Sequence, residues 1–139
     1  MRQALVIGSL IFFAAFAVNG IAAAQESFPS TYVPSGEAMY KQYCGACHGA
    51  NAKGNGPAAS KLKKQPPDLT TLSKRHGGKF PYDYVSSILR FGPAGSSAHG
   101  SSDMPTWGSI FLAVDKDSRW AVRDRIRNLS DYLASLQRK

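Results

Sequence analysis

Two cysteines and a histidine stand together at residues 44–48, in the order Cys-Gly-Ala-Cys-His. The chain contains no other cysteine, so all of its thiol chemistry is confined to this segment. Residues three apart lie on the same side of one helical turn, so both thiols can face a single group. His48 follows directly and brings a nitrogen ligand beside the two sulfurs. The fold therefore has to accommodate whatever these three side chains hold.

The spacing of Cys44, Cys47 and His48 is typical of covalent haem attachment. The thiols would bond to the two vinyl groups of one porphyrin, and His48 would donate an imidazole nitrogen to the iron. A thioredoxin-like redox pair is one alternative, but it requires a βαβ setting that this sequence does not show. A zinc site could use His76 and His99, although these lie far apart and lack a ligand-pair spacing. We predict one haem c, with zinc and disulfide chemistry as the alternatives.

The N-terminus has the layout of a secretory signal peptide. A positive start at residues 1–3 precedes an apolar run from Ala4 to Val18, and alanines at 22–24 offer a cleavage site. We predict that residues 1–24 are removed and that the protein is periplasmic or otherwise exported. An uncleaved membrane anchor is the alternative, because the run is nearly long enough to span a bilayer.

Hydrophobic periodicity predicts helices and gives no strand signal, so the fold class is all-α. A first helix begins after Ser35, a suitable N-cap, and runs into the cysteine motif. A second extends from Pro81 to about Phe91, and the last from about Asp117 to Gln137. Residues 104–108 are predicted as loop, and residues 110–114 as extended or a short turn. The predicted buried positions are Val85, Ile88 and Leu89 in the second helix, and Val122, Ile126, Leu129, Leu133 and Leu136 in the last.

Long loops connect these helices. Residues 49–56 are rich in glycine and asparagine, residues 65–69 contain two prolines, and residues 94–102 are rich in glycine and serine. Loops of this length are uncommon in a compact domain unless something else organises them. A haem would provide that organisation.

Four segments together resemble a class I cytochrome c, over nearly all of residues 35–139. They are the Gly36, Tyr40 and Cys44 spacing before CGACHG, the glycine-rich loop ending in Gly56-Pro57, MPTWG at 104–108, and LSDYL at 129–133. The resemblance implies the cytochrome c fold, with several helices and long loops wrapped around one covalent haem. A leader at 25–34 would precede this domain. The short loop after His48 and the Gly/Ser-rich segment before Met104 favour a bacterial member.

The resemblance also assigns positions to particular residues. The first and last helices of the family cross tightly, which places Gly36 and Tyr40 against Leu129 and Tyr132. The carbonyl of Pro57 would orient the ring of His48, as hydrogen-bond acceptors behind metal-binding histidines commonly do.

Met104 is the predicted sixth ligand of the haem iron. Met1 lies in the signal segment and Met39 lies only a few residues before Cys44, so neither suits the opposite face of the ring. Methionine more often fills gaps in a core, which is one alternative. His99, and less readily His76, are the alternative ligands.

Iron held by an imidazole and a thioether has no open position, and the thioether raises its reduction potential. The sequence thus predicts a single-haem carrier of one electron at a time between redox partners, and no enzyme activity. The alternatives are an electron-transfer subunit bound tightly to a dehydrogenase or terminal oxidase and, less expected, a haem enzyme or gas-binding protein.

The formal net charge is +8, and loss of residues 1–24, which contain one arginine and no acid, leaves +7. Residues 51–81, here called the basic segment, hold much of this charge and the single acid Asp68. Such a segment favours redox protein partners with an acidic docking surface, while solubility is the alternative role. Nucleic-acid binding is not expected, and membrane contact is expected only through an uncleaved anchor or a membrane-bound redox complex. The cations of the basic segment are Lys53, Lys61, Lys63, Lys64, Lys74, Arg75 and Lys79.

Overall fold

The computed structural model describes residues 32–93, 103–116 and 118–138, and in these ranges the regular structure is entirely helical. The all-α prediction is confirmed. The signal peptide, most of the leader and the predicted loop at 94–102 lie outside the described residues. The elements are α1 (Gly36–Met39), a π-helical segment (Tyr40–Cys44), α2 (Gly45–His48), 3₁₀ turns at Ala59–Lys61 and Leu69–Thr71, α3 (Leu72–Arg75), α4 (Tyr82–Phe91), α5 (Trp107–Val114) and α6 (Arg119–Ser135).

The first helix begins where its cap was predicted. The hydroxyl of Ser35 accepts a hydrogen bond from the amide of Ala38 at 3.2 Å, which satisfies one of the free amides of the first turn. The helix then continues without a break through the π-helical segment into α2 and the cysteine motif. A π turn holds an extra residue and often marks a functional site. Sequence periodicity did not predict this widening between Tyr40 and Cys44.

The first and last helices cross at Gly36, as the resemblance implied. A Cβ at this position would overlap the carbonyl oxygen of Asn128 and lie 2.7 Å from the Cβ of Tyr132. The rings of Tyr40 and Tyr132 meet beside this point, with centroids 5.4 Å apart. Leu129 belongs to the same buried core as Tyr40. The close approach of the first and last helices therefore requires a glycine at position 36.

The predicted second helix is α4, with Pro81 at its N-cap position and Val85 and Leu89 buried. The predicted last helix is α6, which buries Ile126 and Leu129 along with Leu133. None of the helices in the described ranges is both long and apolar enough to cross a membrane.

Helix α5 corrects the prediction for residues 104–114. A helix runs over Trp107–Val114, where a loop followed by an extended segment or short turn was predicted. Its sequence is apolar nearly throughout, so it lacks the polar face that identifies an amphipathic helix. Packing determines it instead. Trp107 and Phe111, four residues apart, stack with centroids 5.6 Å apart, and Gly108 lies against the backbone of Arg90 in α4.

Arg138 is bound to the basic segment through Asp68. The carboxylate of Asp68 accepts hydrogen bonds from the amide and hydroxyl of Thr70 at 2.8 and 2.6 Å, and it pairs with Arg138 at 2.7 Å. The amide of Arg138 also donates to the carbonyl of Thr70 at 2.9 Å. These contacts hold the end of the chain on the 3₁₀ turn that precedes α3.

Stability is expected to depend on pH through Asp68. Hydrogen bonds from Thr70, supported by Arg138, lower the pKa of this carboxyl below its ordinary value. The stabilisation is therefore present above the unfolded-state pKa and is lost as pH falls through the folded-state pKa. Asp68→Asn should cost about 1 kcal/mol at pH 7, since the group is partly exposed. Urea unfolding from pH 7 to 3 should show this difference shrinking toward the acid end, whereas a difference that grows there would contradict the assignment.

Candidate cofactor site

One cavity brings together the residues predicted to bind a cofactor. Cys44, Cys47, His48 and Met104 all line it, although the methionine is more than fifty residues distant in sequence. Its volume is about 620 Å³, inside the range of roughly 300–1,000 Å³ typical of ligand sites. The walls are mainly apolar, supplied by Leu62, Leu69, Leu72, Val85, Ile88 and Leu89.

Both cysteine thiols are free and half-buried at this wall. Burial, with a smaller effect of the neighbouring Cys47, raises the pKa of Cys44 to about 12. A thioredoxin-like redox pair requires a βαβ setting. The described residues contain helices and no strand, so the structure does not support this alternative.

The zinc alternative also lacks support. The described residues contain no group of three or more His, Cys, Asp and Glu side chains placed to hold a metal ion. Nδ1 of His76 lies 2.9 Å from the carbonyl oxygen of Leu72, and its ring meets that of Tyr84. His99 lies outside the described residues.

His48 ends α2 and is buried, with 9% of its surface exposed. Burial lowers the pKa of its imidazole, and an interaction with the backbone of Pro67 opposes that shift. Its Nδ1 atom has no well-formed hydrogen bond to any part of the chain that the structure describes. A buried imidazole whose pKa is lowered, and which lines a cavity, has the character of a metal ligand.

The loop at residues 49–56 is hydrogen-bonded to the backbone of the cysteine motif. The amide of Gly54 donates to the carbonyl of His48 at 2.8 Å, and that of Gly56 donates to Cys47 at 3.1 Å. The hydroxyl of Tyr40 donates to the carbonyl of Gly49 at 2.7 Å. These bonds satisfy carbonyls at the end of the helix and so fix the direction of His48.

Pro57 follows this loop and is exposed. Its neighbour Ala58 donates to the carbonyl of Ala46 at 2.9 Å, so the proline lies beside the backbone of the motif. The interaction found with the ring of His48 comes from the backbone of Pro67. The role of Pro57 behind His48 stays a prediction. Pro67 was missed, although the paired prolines at 66–67 marked a rigid segment.

Met104 lies at the cavity wall and packs against the buried core. Met39, the other described methionine, is fully buried, and its sulfur accepts a hydrogen bond from Arg125 at 3.7 Å. This arrangement agrees with the choice of Met104 by elimination. Ligation itself stays a prediction.

Aromatic side chains complete part of the wall. Tyr43 and Trp107 both line the cavity, with ring centroids 5.3 Å apart. Tyr43 was missed by sequence analysis, although its position beside Cys44 could have indicated it. Tyr82 and Phe91 are 46% and 74% exposed, and neither lines the cavity.

The cavity also has cationic residues. Lys63, Lys64 and Arg75 line it, with Asp103 as the only acid among its lining residues in the described ranges. The amide of Lys63 donates to Asp103 at 2.8 Å. Two thiols, an imidazole, a thioether and apolar walls with nearby cations fit a haem, which is a flat apolar group bearing two carboxylates.

Comparison with known families agrees with this geometry. The family model described as "Cytochrome C oxidase, cbb3-type, subunit III" matches residues 32–123. This range contains the whole cysteine motif, Met104 and the first part of α6. A comparison with curated proteins gave no significant match.

Proposed function

Since the chain belongs to the cbb3-type cytochrome c oxidase subunit III family and is a class I c-type cytochrome, we propose that it carries single electrons between redox partners outside the cytoplasm through one haem c. Membership of this family implies electron transfer. The observation that carries the proposal is the convergence of Cys44, Cys47, His48 and Met104 on one cavity. No enzymatic role is proposed.

Each of these residues would have a defined task. Cys44 and Cys47 would hold the haem covalently, and His48, fixed by the loop behind it, would ligate the iron from the same side. Met104 would occupy the opposite position and so exclude oxygen, peroxide and water. When bound, the haem supplies a one-electron iron couple. The apolar walls would exclude water and disfavour the more highly charged oxidised state, which raises the potential together with the thioether.

An optical and ligand-binding experiment on the protein as the cell exports it tests this proposal. We expect a c-type spectrum on reduction, one haem per chain, and no carbon monoxide binding to the ferrous protein without denaturant. Carbon monoxide binding under native conditions would indicate an accessible iron position and favour a gas-binding protein or enzyme.

The mass of the mature protein should correspond to a chain that starts at Gln25, whereas an intact N-terminus would support a membrane anchor.

A second candidate is a tightly bound electron-transfer subunit of a terminal oxidase. The observation in its favour is the family description, which names an oxidase subunit. Mild detergent extraction followed by size-exclusion chromatography distinguishes the two. A carrier should elute alone, whereas a subunit should elute with a larger complex.

We further propose that the basic segment is a docking surface for an acidic redox partner. All seven of its cations are exposed, and none makes an ion pair within the described parts of the chain. Lys63, Lys64 and Arg75 lie at the cavity itself, where an electron would enter or leave. Positive potential at this place would steer an acidic surface toward the haem.

Reversing two of these charges is expected to slow reaction with an anionic oxidant. Lys63→Glu with Lys64→Glu should reduce the rate of oxidation by ferricyanide about tenfold at low salt, because electrostatic steering is lost. The difference should shrink near 1 M salt, where charges are screened beyond about 3 Å. Stopped-flow absorbance measures both rates.

A matched control has the same change in net charge at another place. Arg119→Glu with Arg123→Glu alters two exposed cations of α6 that do not line the cavity. Its rate should stay within about twofold of the wild type. Equal slowing by both pairs would show that net charge acts and that the basic segment has no special role.

A further inference from the structure

Arg125 and Asp115 form an ion pair inside the helical core. Nε and Nη2 of Arg125 donate to the two carboxylate oxygens of Asp115 at 2.8 and 2.7 Å, and each residue is only 5% exposed. Removing two charges from water is costly, and well-packed apolar side chains in their place are often as stabilising. Stability alone therefore does not explain this pair. Its directional geometry requires another explanation.

The guanidinium of Arg125 connects three helices. Arg125 belongs to α6, and its partner Asp115 is the C-cap of α5. The amide of Asp115 donates to the carbonyl of Phe111 at 2.9 Å. The Nη1 atom of Arg125 donates to the sulfur of Met39 in α1 at 3.7 Å. Its carbon atom Cζ lies 5.5 Å from the ring centroid of Phe111. One side chain thus contacts the helix before the cysteine motif and the helix after Met104.

Aromatic rings continue these contacts to the cavity. Phe111 stacks on Trp107 at a centroid distance of 5.6 Å and meets Tyr43 edge-on at 5.6 Å. Tyr43 precedes Cys44 directly, and Trp107 lies three residues after Met104. Both rings line the cavity. An unbroken set of contacts therefore joins the ion pair to the two segments that carry the predicted axial ligands.

We propose that the Asp115–Arg125 pair is a positioning device that holds the Met104 segment at a fixed distance from the His48 segment. The inference rests on the proposed function, in which these two residues are the axial ligands. Two parallel charge-assisted hydrogen bonds define direction and distance more narrowly than apolar packing does. Without them, α5 would keep its apolar contacts but lose its fixed register, and Met104 would be displaced more easily.

The decisive variant replaces the pair by apolar side chains of similar size, Asp115→Leu with Arg125→Met, in the full-length haem protein. The readout is the apparent affinity of the ferric protein for imidazole, which competes with Met104 for the iron. If the fraction of protein with Met104 displaced from the iron rises tenfold, the apparent affinity for imidazole rises about tenfold as well. The free energy of unfolding is measured in parallel. Arg127→Met, on the same helix but 63% exposed in its side chain, is the matched control.

We expect the double variant to unfold no more easily than the wild type, to bind imidazole about tenfold more tightly, and to lose part of its sulfur–iron absorption band. Arg127→Met should leave the imidazole affinity within twofold of the wild type and the sulfur–iron band intact. Wild-type affinity and an intact band in the double variant would overturn the inference and leave a purely structural pair. If the double variant does not fold, the near-isosteric Asp115→Asn variant replaces it, and its apparent affinity for imidazole tests the inference.

Two single variants separate positioning from a direct effect of charge. Asp115→Asn removes the negative partner and Arg125→Met removes the positive one, so a direct effect would shift the reduction potential in opposite directions. Positioning predicts tighter imidazole binding in both. Opposite potential shifts with unchanged imidazole affinity would overturn the inference. A wild-type protein without the sulfur–iron band would instead refute ligation by Met104, so the two failures are distinguishable.

Discussion

Gly36→Ala is expected to lower the free energy of unfolding by about 3 kcal/mol, the upper part of the range for overpacked cores. The new Cβ would overlap the carbonyl oxygen of Asn128, a backbone atom that no rotamer change can move. Relief requires α1 and α6 to separate. Separation would disturb the contact between the rings of Tyr40 and Tyr132 and the hydrogen bond from Asn128 to the carbonyl of Pro34 at 3.1 Å.

Gly45→Ala is the matched control, because it lies in the same continuous helix. Its added Cβ would have the carbonyl oxygen of Tyr40 as its nearest neighbour, at an ordinary 3.7 Å. This variant should equal the wild type or gain up to about 1 kcal/mol, since alanine is the better helix former. Urea unfolding of both variants with haem bound measures the difference. A Gly36→Ala protein within about 0.5 kcal/mol of the control would show that the helix crossing can relax without cost.

Much of the fold could be predicted because its signals are local. Ser35 caps the helix as expected, and the periodicity of α6 located its buried face. The cysteine motif indicated the candidate cofactor site. In each of these cases a short stretch of sequence carries the physical cause. The helix crossing was expected only through the family resemblance, because Gly36 meets Asn128, which is far along the chain.

The features that escaped prediction depend on partners distant in the fold. Helix α5 forms because Trp107 and Phe111 both pack against Tyr43, and Phe111 also lies against Arg125 of α6. Its uniform apolarity gives no period to detect. Arg125 looks like one more surface cation in the basic last helix, yet it is buried against Asp115 across a helix-to-helix turn. Pro67 approaches His48 only after the chain folds back over the loop. Such contacts exist only in the tertiary structure.

Met104→Ala is expected to abolish the weak long-wavelength sulfur–iron band of the oxidised protein and to lower the reduction potential by about 100 mV or more, within the roughly 0.8 V range that axial ligands control. The thioether favours ferrous iron, so its loss stabilises the ferric state. The ferrous variant should also bind carbon monoxide without denaturant, because one iron position becomes accessible. Absorption spectra and a redox titration measure these effects.

Met39→Leu is the matched control for a general loss of methionine. Met39 is buried in the core and bonded to Arg125, so a leucine of similar volume should cost less than about 1.5 kcal/mol in stability. The band and the potential should stay at their wild-type values. If Met104→Ala retained the wild-type spectrum, the sixth ligand would have to come from elsewhere, and His76 at the cavity wall or His99 would be substituted next. Since only a thioether gives the sulfur–iron band, its presence in the wild type and loss in Met104→Ala alone would assign the ligand directly.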